Sequence, residues 1–189
     1  DMTMGTSQML TCMEERLKQF DKEAVVTSFG QEFNPFTFGI AKADMLIRGG
    51  DPDNMQFGNT LDDDKFDGYL FDYCISNPPF GIVTEFIEHM LNNLKPGHKM
   101  ALFLKLQFLE GQDRYKKVFS RKQLKTVYLY TKRVACYKNN EMYQRNEDGT
   151  FKLDKDGNKM KIPSAVAYMW AIFESGYQGD PVIKWISNK

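Results

Sequence analysis

Short apolar runs alternate with amphipathic stretches along most of this chain, and this alternation restricts the fold more than any other feature. A buried-type strand is predicted over Ala24–Phe29, and a helix follows it, with Asn34 as a capping residue and Pro35 in its first turn. A second clear strand is predicted at Phe71–Ser76, and the last strands follow one another without helices between them. This order predicts an α/β fold with a doubly wound, mostly parallel, Rossmann-like sheet and an antiparallel edge strand.

The length of 189 residues fits one domain, predicted to span residues 1–189 with an inserted hairpin at about 137–163. No apolar run is long enough to span a bilayer, and no secretory pattern opens the sequence, which predicts a cytoplasmic protein without a membrane partner. The three cysteines and two histidines lack the spacing of metal ligands, so no metal is predicted.

The net charge of zero hides a strong asymmetry. Residues 1–94 carry 6 Lys/Arg against 16 Asp/Glu, whereas residues 95–138 carry 12 against 2. A basic block of this kind is typical of a nucleic-acid footprint, although a solvated basic surface would give the same count. With a nucleic acid as the partner, phosphate contacts are predicted for Lys116, Lys117, Arg121, Lys122, Lys132 and Arg133, with Lys125 beside them.

Asn77-Pro78-Pro79-Phe80 directly follows the predicted strand Phe71–Ser76. In doubly wound sheets ligands bind outside the carboxyl ends of the strands. Two prolines end a strand and supply no N–H, so the turn presents acceptors only. The Asn77 side-chain oxygen and the Pro78 carbonyl could grip the two hydrogens of an aromatic exocyclic amine, and Phe80 could stack on the ring of a flipped base. A structural Pro-Pro turn is the competing interpretation.

Two other segments have the character of a nucleoside-binding site. Glu32 follows a strand and could accept both ribose hydroxyls of a cofactor, while Phe33 could lie against an adenine ring or pack in the core. The stretch from Asp1 to Thr6 precedes a helix capped at Thr6 or Ser7, where backbone N–H groups allow close approach of a ligand. Each signal is weak when taken alone.

Four motifs occur in order: Asp1-x-Thr3-x-Gly5-Thr6, Gly30-Gln31-Glu32-x-Asn34-Pro35, Gly58-Asn59-Thr60-Leu61 and Ser76-Asn77-Pro78-Pro79-Phe80-Gly81. Together they resemble the modification subunit of type I restriction enzymes and related prophage adenine methyltransferases, most densely over residues 1–110. The resemblance implies a Rossmann-like methyltransferase sheet and a site-specific, adenine-specific DNA methyltransferase. Such an enzyme transfers a methyl group from S-adenosylmethionine to adenine N6, within a restriction-modification or prophage system, in some relatives with a specificity subunit as partner.

By that resemblance Asp1, Gly5 and Thr6 line the methionine side of the cofactor, with Thr3 in the same motif. Asn59 and Leu61 flank its adenine, with Thr60 between them. Ser7 stands where the family usually has a second glycine, and Asn59 where it usually has Asp. Asp1 falls where the first, central strand would be ending, so a truncated first strand is expected.

Two alternatives remain open. Asn-Pro-Pro-Phe also occurs in methyltransferases for ribosomal RNA guanine and for a glutamine amide of release factors, where the same acceptors would grip a planar amino group. A catalytically silent scaffold fragment of a larger complex is the other alternative, favoured by Ser7 and the absent first strand.

Overall fold

The computed structural model describes residues 1–137, 141–163 and 166–188. They form two sheets with helices packed against them. The helices are α1 Gln8–Phe20, α2 Pro35–Ile47, α3 Val83–Asn92 and α4 Gln112–Lys117. The strands are β1 Gly30–Glu32, β2 Met55–Phe57, β3 Phe71–Ser76, β4 Leu94–Lys105, β5 Leu124–Tyr130, β6 Tyr168–Glu174 and β7 Val182–Ile186. No helix within the described ranges is long and apolar enough to cross a membrane.

The larger sheet has the order β3-β4-β6-β5-β7. β3 is parallel to β4 and β7 to β5, while β6 is antiparallel to both of its neighbours, β4 and β5. The prediction of a mostly parallel α/β sheet is therefore confirmed. The antiparallel strand, predicted for the edge, instead lies inside the sheet, because β6 turns back between β4 and β5 and leaves β7 at the edge.

The smaller sheet consists of β1 and β2, paired in parallel. The strand predicted over Ala24–Phe29 is wrong in position, since β1 starts only at Gly30. Val25 is 95% exposed, so this apolar run has no neighbouring strand to bury it. No strand lies between the two sheets in the described part of the chain, and an apolar cavity of about 60 Å³ lies there, beside Phe29 and Cys74.

The core of the larger sheet lies between its strands and α3. Phe86, Ile87 and Met90 on α3 are almost fully buried, and they pack with Met100 and Leu102 of β4. Burial of each such side chain contributes roughly 1.5–3 kcal/mol. Because α3 starts directly after the Asn77–Phe80 turn, this packing fixes the turn at the carboxyl end of β3.

Residues 141–163 form two consecutive hairpins where one was predicted. Their turns are at Asp148-Gly149 and Asp156-Gly157. Three backbone bonds close a ring: Gln144 N–H donates to the Met160 carbonyl, Met160 N–H to Lys152, and Lys152 N–H to Gln144. The ring stabilises a polar segment that has little apolar surface to bury. Residues 138–140 of the predicted hairpin region lie outside the described residues.

Candidate active site

A cavity of about 510 Å³ opens at the carboxyl ends of β1, β2 and β3. Glu32 and Phe33 line one end of it, and Asn77 lies at the turn that follows β3. Its volume is in the range of small-molecule and cofactor sites. It brings together Thr3, Glu32, Phe33, Asn59, Thr60, Asn77 and Pro79 from the sequence-predicted sets.

The segment from Asp1 to Met4 joins the two sheets beside this cavity. Gln31 N–H donates to the Asp1 carbonyl, and Met4 N–H donates to the Gln31 carbonyl. At the other side, the Ser76 hydroxyl lies 2.8 Å from the Asp1 carboxylate. A Cβ at Gly30 would come within 2.3 Å of the Met4 sulfur, so a larger residue there would displace the buried Met4 side chain.

Glu32 is held by two backbone donors. Gly5 N–H donates to its Oε2 at 2.8 Å, and Asn34 N–H donates to its Oε1 at 2.7 Å. Each carboxylate oxygen keeps a further lone pair for another donor. The same Asn34 caps α2 as predicted, because its side-chain oxygen accepts from Phe36 N–H and Thr37 N–H. Glu32 is thus fixed in position and still able to accept hydroxyl groups.

The turn after β2 is positioned by Gln31, a fully buried residue to which the sequence assigned no separate role. Its Nε2 donates to the Asp63 carbonyl at 2.7 Å, and its Oε1 accepts from Lys65 N–H at 3.0 Å. Thr60 is anchored separately, since its buried hydroxyl donates to the Met2 carbonyl. The sequence alone could not predict that the Gln31 side chain is buried, because its two backbone partners lie more than 30 residues away.

Asn59 itself faces an acid. Its Nδ2 donates to the Asp62 carboxylate, and its Oδ1 accepts from Leu61 N–H at 3.3 Å. Leu61 packs against the core of the larger sheet. A carboxylate in place of Asn59 would repel Asp62, which gives a local reason for the amide at this position.

Asn77 and Pro78 present two acceptors with no partner in the described part of the chain. The Asn77 side chain is exposed and makes no hydrogen bond there, and the Pro78 carbonyl accepts none. The next carbonyl differs, since that of Pro79 accepts from Ile82 N–H at 3.1 Å. Of the acceptor pair expected from the sequence, the Asn77 side chain is accessible to a bound amine, whereas Pro78 is almost fully buried and its carbonyl is unpaired among the described residues.

Phe80 belongs to a row of aromatic side chains across the carboxyl ends of β3 and β4 and the amino end of β6. Its ring lies 6.2 Å from Tyr168, which stacks on Phe103 at 5.1 Å with the rings 9° apart. Trp170 continues the row and donates its indole N–H to the Tyr130 hydroxyl at 2.7 Å. Burial raises the pKa of the Tyr130 phenol.

Sequence reasoning missed this row. Phe103 and Trp170 are directly paired on β4 and β6, and Tyr168 pairs with Lys105. The alternation of the sequence predicts where the strands end. The aromatic residues at these ends come together only because β6 lies inside the sheet.

The first helix begins in an unusual way. Ser7 occupies the N-cap position of α1 with φ 63°, and its side chain makes no capping bond. The Ser7 hydroxyl is buried without a hydrogen-bond partner among the described residues. Gly5 also has a positive φ, 56°, which glycine adopts without strain. The left-handed conformation of Ser7 explains why a glycine is the usual residue there.

The predicted DNA-binding residues are not brought together. Lys116 and Lys117 are exposed on α4, after which the chain returns toward the amino end of β5. Arg121 is engaged in an ion pair with Glu88 of α3 at 2.6 Å, and Lys122 follows it. Lys132 and Arg133 are exposed after the carboxyl end of β5, on the cavity's side of the sheet.

Comparison with known proteins bears on residues 1–85, which contain all four sequence motifs. Residues 1–85 match the family model of N-6 DNA methylases. The resemblance to this family is thereby confirmed over that range. The methylase subunit of the type I restriction enzyme MjaIX from Methanocaldococcus jannaschii is 31% identical over 68 residues, covering 34% of this chain and 12% of that subunit.

Solved structures show the same fold. The type I restriction-modification methyltransferase subunit from Streptococcus thermophilus superimposes with a TM-score of 0.65 at 19% identity, covering 99% of this chain and 41% of that one. A class I S-adenosylmethionine-dependent methyltransferase described as putative, from Listeria monocytogenes, gives 0.69 at 13% identity, with 98% and 57% covered. The chain therefore spans about an eighth of the curated relative and about half of these solved chains.

Proposed function

We propose that this chain is the catalytic core of an N-6 DNA methylase that transfers a methyl group from S-adenosylmethionine to the exocyclic N6 of a flipped adenine. One observation carries the proposal: the unpartnered side chain of Asn77, which directly precedes Pro78, borders the same cavity as the fixed carboxylate of Glu32. A nucleoside cofactor and an aromatic amine can be held side by side only where both features share one space.

The residues of the cavity fit S-adenosylmethionine. Glu32 would accept the ribose hydroxyls, Phe33 would lie against the adenine, and the Asn59–Leu61 turn would flank it. Thr3 lines the cavity, and Asp1, Gly5 and Thr6 of the same segment would lie on the methionine side. The cofactor supplies a methyl group on a sulfonium, which makes that carbon electrophilic.

The protein's own part in the reaction is to prepare the amine. The lone pair of an aromatic amine is delocalised into the ring, which makes the nitrogen a poor nucleophile. Acceptance of its two hydrogens by Asn77 Oδ1 and the Pro78 carbonyl would favour a pyramidal nitrogen. Phe80 would hold the flipped base by stacking. Acceptors aimed at the amine would also stabilise the positive charge that develops on the nitrogen.

DNA is the proposed substrate, with a specificity subunit as a proposed partner that selects the target sequence. Lys132 and Arg133 support a phosphate-binding role through their exposed position after the carboxyl end of β5, on the cavity's side of the sheet. The N-6 DNA methylase match and the solved type I subunit support the choice of DNA over ribosomal RNA or a protein glutamine.

The test is product analysis. The chain is incubated with DNA and methyl-labelled S-adenosylmethionine, and the DNA is digested to nucleosides. We expect label in N6-methyldeoxyadenosine. Label only in ribosomal RNA guanine or in a release-factor glutamine would select the alternative substrates. Absence of cofactor binding by calorimetry would instead select a silent scaffold.

A further inference from the structure

A second cavity, of about 300 Å³, lies against Phe80 and is distinct from the cofactor cavity. Phe80 and Gly81 form one wall, and β4 with the turn after it forms another. Phe80 lines this cavity, whereas Asn77 and Pro79 line the cofactor cavity, so the Asn77–Phe80 turn separates the two spaces. A nucleotide whose base reached Asn77 would carry its backbone past this turn.

The polar lining of this cavity has the character of an anion site. Its polar and charged side chains are those of Thr84, Lys105, Gln107 and Arg114, and no carboxylate lines it. A hydroxyl, an amide and two cations are the groups that proteins use to bind phosphate oxygens.

Among these residues, Lys105 gives the strongest indication of an anionic ligand. It is partly buried at the end of β4, with its ammonium 4.5 Å from the centre of the Phe80 ring. Among the described residues it has no ion pair and no side-chain hydrogen bond. The other lysines of the same strand differ, since Lys95 pairs with Asp72 and Lys99 with Glu174. A partly desolvated cation beside a carboxylate-free cavity favours an anionic ligand.

Arg114 contributes the second charge. Its Nη1 donates to the Gln107 carbonyl at 2.7 Å, and its guanidinium lies 5.3 Å from the Phe108 ring. These contacts hold the side chain on the cavity wall. A guanidinium has five N–H donors, so most of them stay available to a ligand.

We propose that this second cavity binds the phosphodiester next to the target adenine, with Lys105 and Arg114 as its binding residues. This inference rests on the proposed function and extends it, since it places the backbone of the substrate strand. The cation over Phe80 would then couple backbone binding to the ring that stacks on the base. None of the basic residues singled out from the sequence takes part.

The test uses a single-stranded oligothymidine with one central deoxyadenosine, because a single strand needs no base flipping. Neutral methylphosphonates replace, one at a time, the phosphates around the adenine. Lys105→Met keeps the length of the side chain and removes its charge. Lys99→Met is the matched control, since Lys99 lies near the middle of the same strand, on the same sheet face and away from the second cavity.

We expect Lys105→Met to weaken oligonucleotide binding about tenfold, the loss of one charge-assisted contact. At one position, the methylphosphonate should lower the affinity of the unmodified protein by a similar factor. The same methylphosphonate should not lower the affinity of Lys105→Met any further, because the two changes remove the same contact and their effects are then not additive. Lys99→Met and Lys105→Arg should retain the normal methylphosphonate pattern. If Lys105→Met misfolds, Arg114→Gln tests the same cavity from α4.

The proposal is overturned if every methylphosphonate lowers the oligonucleotide affinity of Lys105→Met as much as it lowers that of the unmodified protein. It is also overturned if Lys99→Met loses as much affinity as Lys105→Met. Formation of N6-methyladenine in the same samples separates the two hypotheses. Methylation without any methylphosphonate effect leaves the proposed function standing and removes the phosphate site. Absence of both methylation and oligonucleotide binding removes both.

Discussion

The hydroxyls of Thr3 and Ser76 lie 2.6 Å apart and connect the segment before α1 to the end of β3. Ser76 also lies 2.8 Å from the Asp1 carboxylate, which can only accept, so Ser76 donates to Asp1 and Thr3 donates to Ser76. Ser76 is fully buried and directly precedes Asn77. One chain of hydroxyl bonds thus couples the proposed cofactor loop to the proposed amine-binding turn.

Ser76→Ala is expected to destabilise the protein by about 1–3 kcal/mol, because it removes one of the two donors to the Asp1 carboxylate, the other being Thr3 N–H, and the acceptor of the Thr3 hydroxyl. The melting temperature should fall by roughly 2–4 °C for each kcal/mol. Ser28→Ala is the matched control, since the buried Ser28 hydroxyl has no hydrogen-bond partner in the described part of the chain. Equal melting temperatures for the two variants would contradict the role of Ser76.

Asn77→Ala should abolish most methyl transfer and leave the fold intact. The side chain is exposed and unbonded within the described residues, so its loss costs little stability. An oriented acceptor in the transition state is worth about 10²–10³ in rate. Single-turnover methylation measures the effect, with cofactor affinity as the control that should not change. Turnover near the normal rate would reject the proposed amine grip.

Glu32→Ala is expected to weaken S-adenosylmethionine binding by about 1.5–3 kcal/mol, since charge-assisted bonds to two hydroxyls are lost. The variant also frees Gly5 N–H and Asn34 N–H, so part of the loss would come from the loops themselves. Calorimetry of cofactor binding is therefore compared with thermal unfolding of the free protein. Unchanged cofactor affinity would show that Glu32 only connects the loops that contain Gly5 and Asn34.

Ser7→Gly should stabilise the protein by about 1 kcal/mol. Glycine relieves a left-handed conformation that costs other residues about 1–2 kcal/mol, and the change removes a buried hydroxyl without a partner among the described residues. The greater freedom of glycine in the unfolded chain offsets part of this gain. Ser7→Ala removes the hydroxyl and keeps the strain, so urea unfolding should rank Gly above Ala. The opposite ranking would show that the strain is negligible.

Lys132→Glu and Arg133→Glu should each weaken DNA binding and lower its salt dependence by roughly one counterion. The expectation follows from their place after β5, three strand spacings or about 14 Å from the Asn77 strand. Arg121→Glu is the comparison, because this guanidinium is already paired with Glu88. Affinity is measured across a series of salt concentrations. A larger change of slope for Arg121→Glu would place the DNA over α4 instead.

The alternation of strands and helices determined the fold class, because a parallel sheet with crossover helices is the arrangement that buries such a pattern. The order of motifs at strand ends also determined where the proposed site lies. Asn34 capped α2 as its residue type predicts, since a short side chain with an acceptor satisfies the first free N–H groups of a helix. These results depend on local chemistry, which a sequence contains directly.

Tertiary structure decided what local chemistry leaves open. Ala24–Phe29 has strand-like composition, but a strand needs a neighbour for its hydrogen bonds, and only Gly30–Glu32 has one. β6 lies between β4 and β5, which brings Tyr168 next to Phe80 from far along the chain. Charge counts identified a basic block, yet only the packed structure separates Arg121, which is paired, from Lys105, which faces a cavity. Which partner a side chain meets depends on contacts distant in sequence, and only the packing of the sheets brings those contacts together.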